Sequence, residues 1–212
     1  MKNNITELVF IIDKSGSMYE LKADTVGGFN ATIEKQRAEE GRAFISTVLF
    51  DNASHVIHDR VDIGEVKPMT LADYTPSGCT ALLDALGDAM KHIGNIHKYA
   101  RPDDVPEHTV FVITTDGMEN ASSRYTAAEI KSEISRRSES DGWEFIFLAA
   151  NINAVEAAGN IGIRPERAAN YRHTGEGVER SYAVMSEAIS NIRCCRVPEC
   201  GLQEMLDGTE EQ

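Results

Sequence analysis

No apolar stretch in this 212-residue chain approaches the ~20 residues that a membrane-spanning helix needs, so no such span and no membrane partner is expected. Cysteine is scarce. Cys79, Cys194, Cys195 and Cys200 are all there is, three of them fall within seven residues, and no C-x-x-C pair exists. That pattern supports neither a disulfide framework nor a structural zinc knuckle, and the expectation is free thiols, with Cys79 a small packing residue. No H-E-x-x-H occurs among His55, His58, His92, His97, His108 and His173. His92 and His97 are five apart and do not share a helix face, so the histidines are read as solvated or packing residues. No G-x-G-x-x-G and no lysine after a glycine-rich loop is found, which removes the common nucleotide-binding loops. Positive charge is short as well: 21 basic against 34 acidic residues leave a net charge of −13. Without a basic face, no nucleic-acid partner is expected.

What remains is an ordinary globular composition, 42% hydrophobic and 26% charged. A chain of this length can bury a large core without disulfides or metals. Met1-Lys2-Asn3-Asn4 leads straight into an apolar run that ends at Asp13 with no small-residue cleavage site. The expectation is therefore no signal peptide and a cytoplasmic location.

Apolar strand-like runs alternate with helical patterns, which predicts an α/β layer fold. Strands are expected over residues 7–12, 42–50, 55–62, 109–115, 143–149 and 167–171. The tight spacing of the second and third predicts a hairpin, hence one antiparallel edge strand. Leu82, Ala85, Leu86, Ala89, Met90 and Ile93 form one helical stripe. Val178, Tyr182, Met185, Ile189 and Ile192 form another. Thr126-Ala127-Ala128-Glu129 reads as a capping box, and Asn153 to Glu156 repeats the signal. The first helix spans about residues 18–39, with Gly27-Gly28 either kinking it or allowing close packing. After Arg193 the pattern decays. One domain over residues 1–193 and a mobile tail over residues 194–212 are expected.

Asp13-Lys14-Ser15-Gly16-Ser17 directly follows Leu8-Val9-Phe10-Ile11-Ile12. One carboxylate and two hydroxyls thus stand at the mouth of a strand. Thr80 lies in Ser77-Gly78-Cys79-Thr80-Ala81-Leu82, and Asp116 follows Val110-Phe111-Val112-Ile113-Thr114-Thr115. Oxygen donors with no His or Cys among them suit a hard cation such as Mg²⁺ or Mn²⁺. Asp and Ser after a strand also serve as turn formers and helix N-caps. The ordered triple, each part at a strand-to-helix junction, argues for the site over that reading. Glu119 is read as an exposed loop carboxylate, and Lys14 and Met18 as rim residues.

Asp-x-Ser-x-Ser, then a distant Thr before a helix, then a distant Asp-Gly after an apolar strand resembles the metal-ion-dependent adhesion site (MIDAS) of the von Willebrand factor A domain family. The resemblance runs from about Thr6 to about Arg193. Asp116-Gly117-Met118-Glu119-Asn120 and the undecorated length look most like compact bacterial or phage intracellular members. The resemblance implies a doubly wound, Rossmann-like, mostly parallel six-stranded sheet in the order 3-2-1-4-5-6, with helices on both faces. In such a sheet the first and fourth strands are neighbours, and Asp13 and Asp116 meet at the switch point where ligands bind. It also implies direct coordination by Ser15, Ser17 and Thr80, with at least one aspartate acting through water. The function implied is a metal-dependent protein–protein interaction module, not an enzyme, in which Mg²⁺ or Mn²⁺ recruits an Asp or Glu carboxylate of a partner. Two alternatives are a metal-dependent phosphohydrolase, whose usual second Asp is replaced here by Ser15, and a subunit of an AAA+ or chelatase-like assembly.

Overall fold

The computed structural model describes residues 4–196 and 200–208. Ile5–Asp13 (β1) is buried along its whole length, as expected for a central parallel strand covered on both faces. It pairs in parallel with Arg42–Phe50 (β2) on one side and His108–Thr115 (β4) on the other. Ser54–Asp62 (β3) runs antiparallel to β2 and forms one edge. Glu144–Ala149 (β5) and Ala168–Asn170 (β6) extend the parallel part. The order is β3-β2-β1-β4-β5-β6, and the fold class expected from sequence holds.

Side-chain alternation along the strands builds a core on each face. Leu8, Phe10 and Ile12 of β1, with Val110 and Val112 of β4, face Lys22–Arg37 (α1) and Gly175–Arg193 (α5). Val9, Ile11, Phe111 and Ile113 face Leu82–Tyr99 (α2) and Ala127–Asp141 (α3). Ala154–Asn160 (α4) completes that layer. The capping box at Thr126 and Glu129 forms in both directions, and Asn153 caps α4. Gly28 allows close packing: a Cβ there would stand 2.6 Å from the Tyr182 ring of α5.

Four expectations are corrected. The first helix splits, because Gly16–Tyr19 forms a separate 3₁₀ turn before α1. The last strand is only three residues long, since Pro165–Arg167 forms a 3₁₀ turn in front of it. Beyond Arg193 the chain forms a further helix, Leu202–Gly208 (α6), whose Leu202 and Leu206 are buried in the α1/α5 core. The rest of the expected tail, residues 197–199 and 209–212, lies outside the described residues. All four cysteines are free, and Cys79 is exposed instead of packed. Among the described residues no helix is long and apolar enough to cross a membrane.

Candidate metal centre

β1 and β4 end side by side, and their register brings Asp13 and Asp116 to the same crevice. Asp13 is 0% exposed and Asp116 2%. Asp13 Oδ1 accepts the Ser15 N–H at 2.6 Å, so the chain folds back over its own carboxylate. The Thr115 hydroxyl donates to Asp13 Oδ2 at 2.6 Å. The Ser17 hydroxyl donates to Asp116 Oδ1 at 2.6 Å and lies 3.2 Å from Ser15 Oγ. Four of the five expected residues are thus joined directly. Thr80 approaches from the third junction. A Cβ on Gly117 would stand 3.9 Å from Thr80 Oγ1, so the threonine hydroxyl lies in van der Waals reach of the residue that follows Asp116.

Backbone exchanges between loops lock this convergence. Gly16 N–H donates to Gly78 O, Ser77 N–H to Lys14 O, and Lys14 N–H to Phe50 O. Gly78 has φ +69°, and a Cβ there would collide with the Asn52 side chain, so glycine answers two demands at that position. The Tyr74 hydroxyl donates to the Asp13 carbonyl from a fully buried position.

Electrostatically the crevice is anionic and under-compensated. Burial pushes the Asp13 carboxyl above its usual range. The Thr115 and Ser15 hydrogen bonds oppose this, and the Asp116 charge adds to it. Among the described residues no lysine or arginine pairs with Asp13 or Asp116. Lys14 turns away to a buried ion pair with Asp51, where its hydrogen bond and charge overcome the effect of burial and hold that carboxyl low. Lys14 is therefore no rim residue. Met18 is none either, since the 3₁₀ turn folds it into the core at 2% exposure. Two large hydrophobic side chains beside the site are exposed, Tyr19 and Met118, at 72% and 71%. An oxygen-only set with two buried carboxylates and, among the described residues, no lysine or arginine partner fits a hard divalent ion.

Three groups that sequence reasoning missed hold the site together. His173 Nε2 lies 2.9 Å from Asp116 Oδ2, so it is not simply solvated. A single histidine in a loop carried no pattern that could have marked it. Glu119 is no free loop carboxylate: it accepts from the N–H groups of Leu83, Ala121 and Ser122 and from the Ser122 hydroxyl. Asp84, in the first turn of α2, accepts from the N–H groups of Ser123, Arg124 and Tyr125. Burial works against its ionised form, but these donors outweigh it and hold the carboxyl low. Asn120 exchanges backbone and side-chain bonds with Thr80. The loop after Asp116 is thereby fastened to the start of α2, beside Thr80.

A consequence is measurable. Asp84→Asn keeps the shape but sets an amide NH₂ against backbone donors, which is expected to cost about 1–2 kcal/mol. Urea unfolding should show that loss, together with weaker Mn²⁺ binding. Unchanged stability would mean the loop is held by other contacts. The sign with pH follows from the lowered carboxyl. Its stabilisation is present above the unfolded value of about 3.9 and is lost as pH falls through the lower folded value.

No family model matches the sequence, and no curated protein matches it. Solved structures do resemble the fold. Proximal thread matrix protein 1 from the mussel byssus, solved with a zinc-occupied MIDAS motif, has a TM-score of 0.58 at 15% identity, over 87% of this chain and 46% of that one. The manganese-loaded TRAP protein of Plasmodium vivax has a TM-score of 0.58 at 16% identity, over 84% of this chain and 72% of that one. The vWF domain of the type V pili tip protein Mfa5 from Porphyromonas gingivalis reaches 0.61 at 12% identity, over 88% of this chain and 95% of that one. The chain spans less than half the length of the mussel protein. Strand order, layering and these likenesses together make the fold of this chain that of a von Willebrand factor A domain.

Proposed function

We propose that this domain is a metal-dependent protein-binding module without catalytic activity. Asp13, Ser15, Ser17, Thr80 and Asp116 would hold Mg²⁺ or Mn²⁺. The observation that carries the reading is the pair of buried carboxylates at one crevice, linked through Ser15 and Ser17 and, among the described residues, lacking a lysine or arginine partner. Bound there, the ion supplies positive charge and an open coordination position that a carboxylate from another protein can fill. Metal-occupied relatives of the same fold support a divalent ion at this place.

The chain's own residues divide the work. Thr115 and the Ser15 N–H orient the Asp13 carboxylate. His173 and Ser17 orient that of Asp116. Tyr19 and Met118 offer apolar surface to whatever docks. Hydrolytic chemistry is poorly served. Ser15 stands where a second acid would be needed, and Lys14 is committed to Asp51 instead of a phosphate.

Capture from a lysate with and without EDTA tests this reading, with mass spectrometry to identify what is retained. The partner should be lost on EDTA and on changing one of its own Asp or Glu residues to Ala. Tyr19→Ala or Met118→Ala should weaken capture several-fold while leaving Mn²⁺ affinity unchanged. Phosphate-ester turnover that vanishes in Asp13→Asn would overturn the reading in favour of a hydrolase.

A further inference from the structure

We propose a second metal site, for a borderline-soft divalent ion such as Zn²⁺, formed by Glu107, His108 and Cys195 at the opposite end of β4 from the oxygen cluster. One ligand atom from each of the three lies within 4.8 Å of the others. Cys195 Sγ is 3.4 Å from His108 Nε2, and His108 Nε2 is 3.8 Å from Glu107 Oε1. Bond lengths of about 2.3 Å to sulfur and about 2.0–2.1 Å to nitrogen and oxygen, in a tetrahedron, separate S from N by about 3.5 Å and N from O by about 3.3 Å. The sulfur and nitrogen already stand at this separation, and the glutamate must move inward to complete the set. Three protein ligands leave the fourth position to water.

All three ligands sit on held backbone. His108 opens β4 opposite Thr6, and the Glu107 N–H donates to Ile5 O at 2.8 Å. Both side chains are mostly covered, with 20% and 16% exposure. Cys195 follows α5, whose last residue, Arg193, is tied to the Gln36, Glu40 and Gly41 carbonyls.

The backbone at Cys195 supplies an independent argument. Arg196 N–H bonds to Asn191 O, and Cys195 N–H bonds to Ile192 O. Those two bonds are a Schellman motif, with Cys195 at its left-handed position, φ +52°. Glycine is the usual occupant there, because a Cβ is disfavoured in that conformation. A cysteine tolerates the strain here and gains a thiol aimed at His108. The sulfur–nitrogen–oxygen set differs in kind from the oxygen-only cluster at the other end of β4, about 23 Å away at strand rise. Hard ions should favour the oxygen cluster, and ions with thiolate affinity the Cys195 site.

Cobalt separates the two sites, because only a thiolate ligand gives an intense sulfur-to-metal charge-transfer band in the near ultraviolet. Co²⁺ is titrated into the full reduced chain. Wild type and Asp13→Ala should both develop the band, and added Zn²⁺ should bleach it. Cys195→Ser should lack it. His108→Ala should lose about tenfold or more in Co²⁺ affinity, the least that even an outer-shell change costs. Metal-free Cys195→Gly should melt at or above wild type, so its loss of the band cannot be blamed on unfolding. The inference is overturned if wild type shows no band, or if the band survives in Cys195→Ser. It is equally overturned if metal-free Cys195→Gly melts well below wild type, since the thiol would then be a packing group.

Discussion

Saturating Mn²⁺ is expected to raise the melting temperature of the wild-type domain by roughly 5–10 °C, and EDTA to reverse the rise. An ion that binds only the folded chain stabilises it by about 2.7 kcal/mol at a hundred times its dissociation constant. For a domain of this size each kcal/mol moves the midpoint by about 2–4 °C. The physical source is local. Asp13 and Asp116 are buried together, and burial already disfavours the charge on Asp13. A cation would relieve both costs only in the folded state, because the five proposed ligands come from three separate segments, the ends of β1 and β4 and the loop before α2. A scanning calorimetry trace that does not move with Mn²⁺ would count against the site. The same shift in Asp116→Ala would place the ion elsewhere.

Substitutions at the site should separate metal binding from folding. Asp13→Ala is expected to abolish Mn²⁺ binding and also to cost about 2–4 kcal/mol in the metal-free protein. Its carboxylate accepts from the buried Thr115 hydroxyl and from the Ser15 N–H, and both donors would be stranded. Ser15→Ala should behave differently. Its hydroxyl lies 3.2 Å from Ser17 Oγ and also bonds the Asp13 carboxylate, but the N–H that holds Asp13 is retained. Metal binding should fall while the metal-free melt stays within a few degrees of wild type. Denaturation of both variants in EDTA distinguishes the cases. A collapse of metal-free Ser15→Ala would make that hydroxyl a structural cap instead of a ligand.

The fold was legible where periodicity was long. The strand order was anticipated from the family resemblance, which rests on Asp13 and Asp116 standing at the ends of two apolar runs. The helices with clear stripes, α2 and α5, appear where those stripes stand. The short α6 was not legible: seven residues carrying Leu202 and Leu206 give a single i, i+4 pair, too little for a periodic signal. Its burial depends on a surface of α5 and β6 that no local pattern reveals. At the site, the residues at strand ends could be singled out because the turn chemistry and the order of segments were visible. Lys14 and Met18 could not be placed, since the partner of one is Asp51 and the 3₁₀ turn decides the direction of the other. Asp84, Glu119 and His173 act across 35 or more residues of chain, as with Glu119 to Leu83. Contacts of that kind leave no mark on local sequence.

The most direct measurement is a calorimetric titration of Mn²⁺ into wild type, Thr80→Ala and Asp116→Ala. Mn²⁺ is chosen because its preference for oxygen donors keeps it from the Cys195 cluster. Thr80 and Asp116 come from different segments and, among the described residues, share no hydrogen bond with each other, so a joint loss has one natural cause. One binding site in wild type and none in either variant, with both variants folded by circular dichroism, is the result expected. Wild-type heats in Thr80→Ala and Asp116→Ala would contradict a metal centre at this crevice.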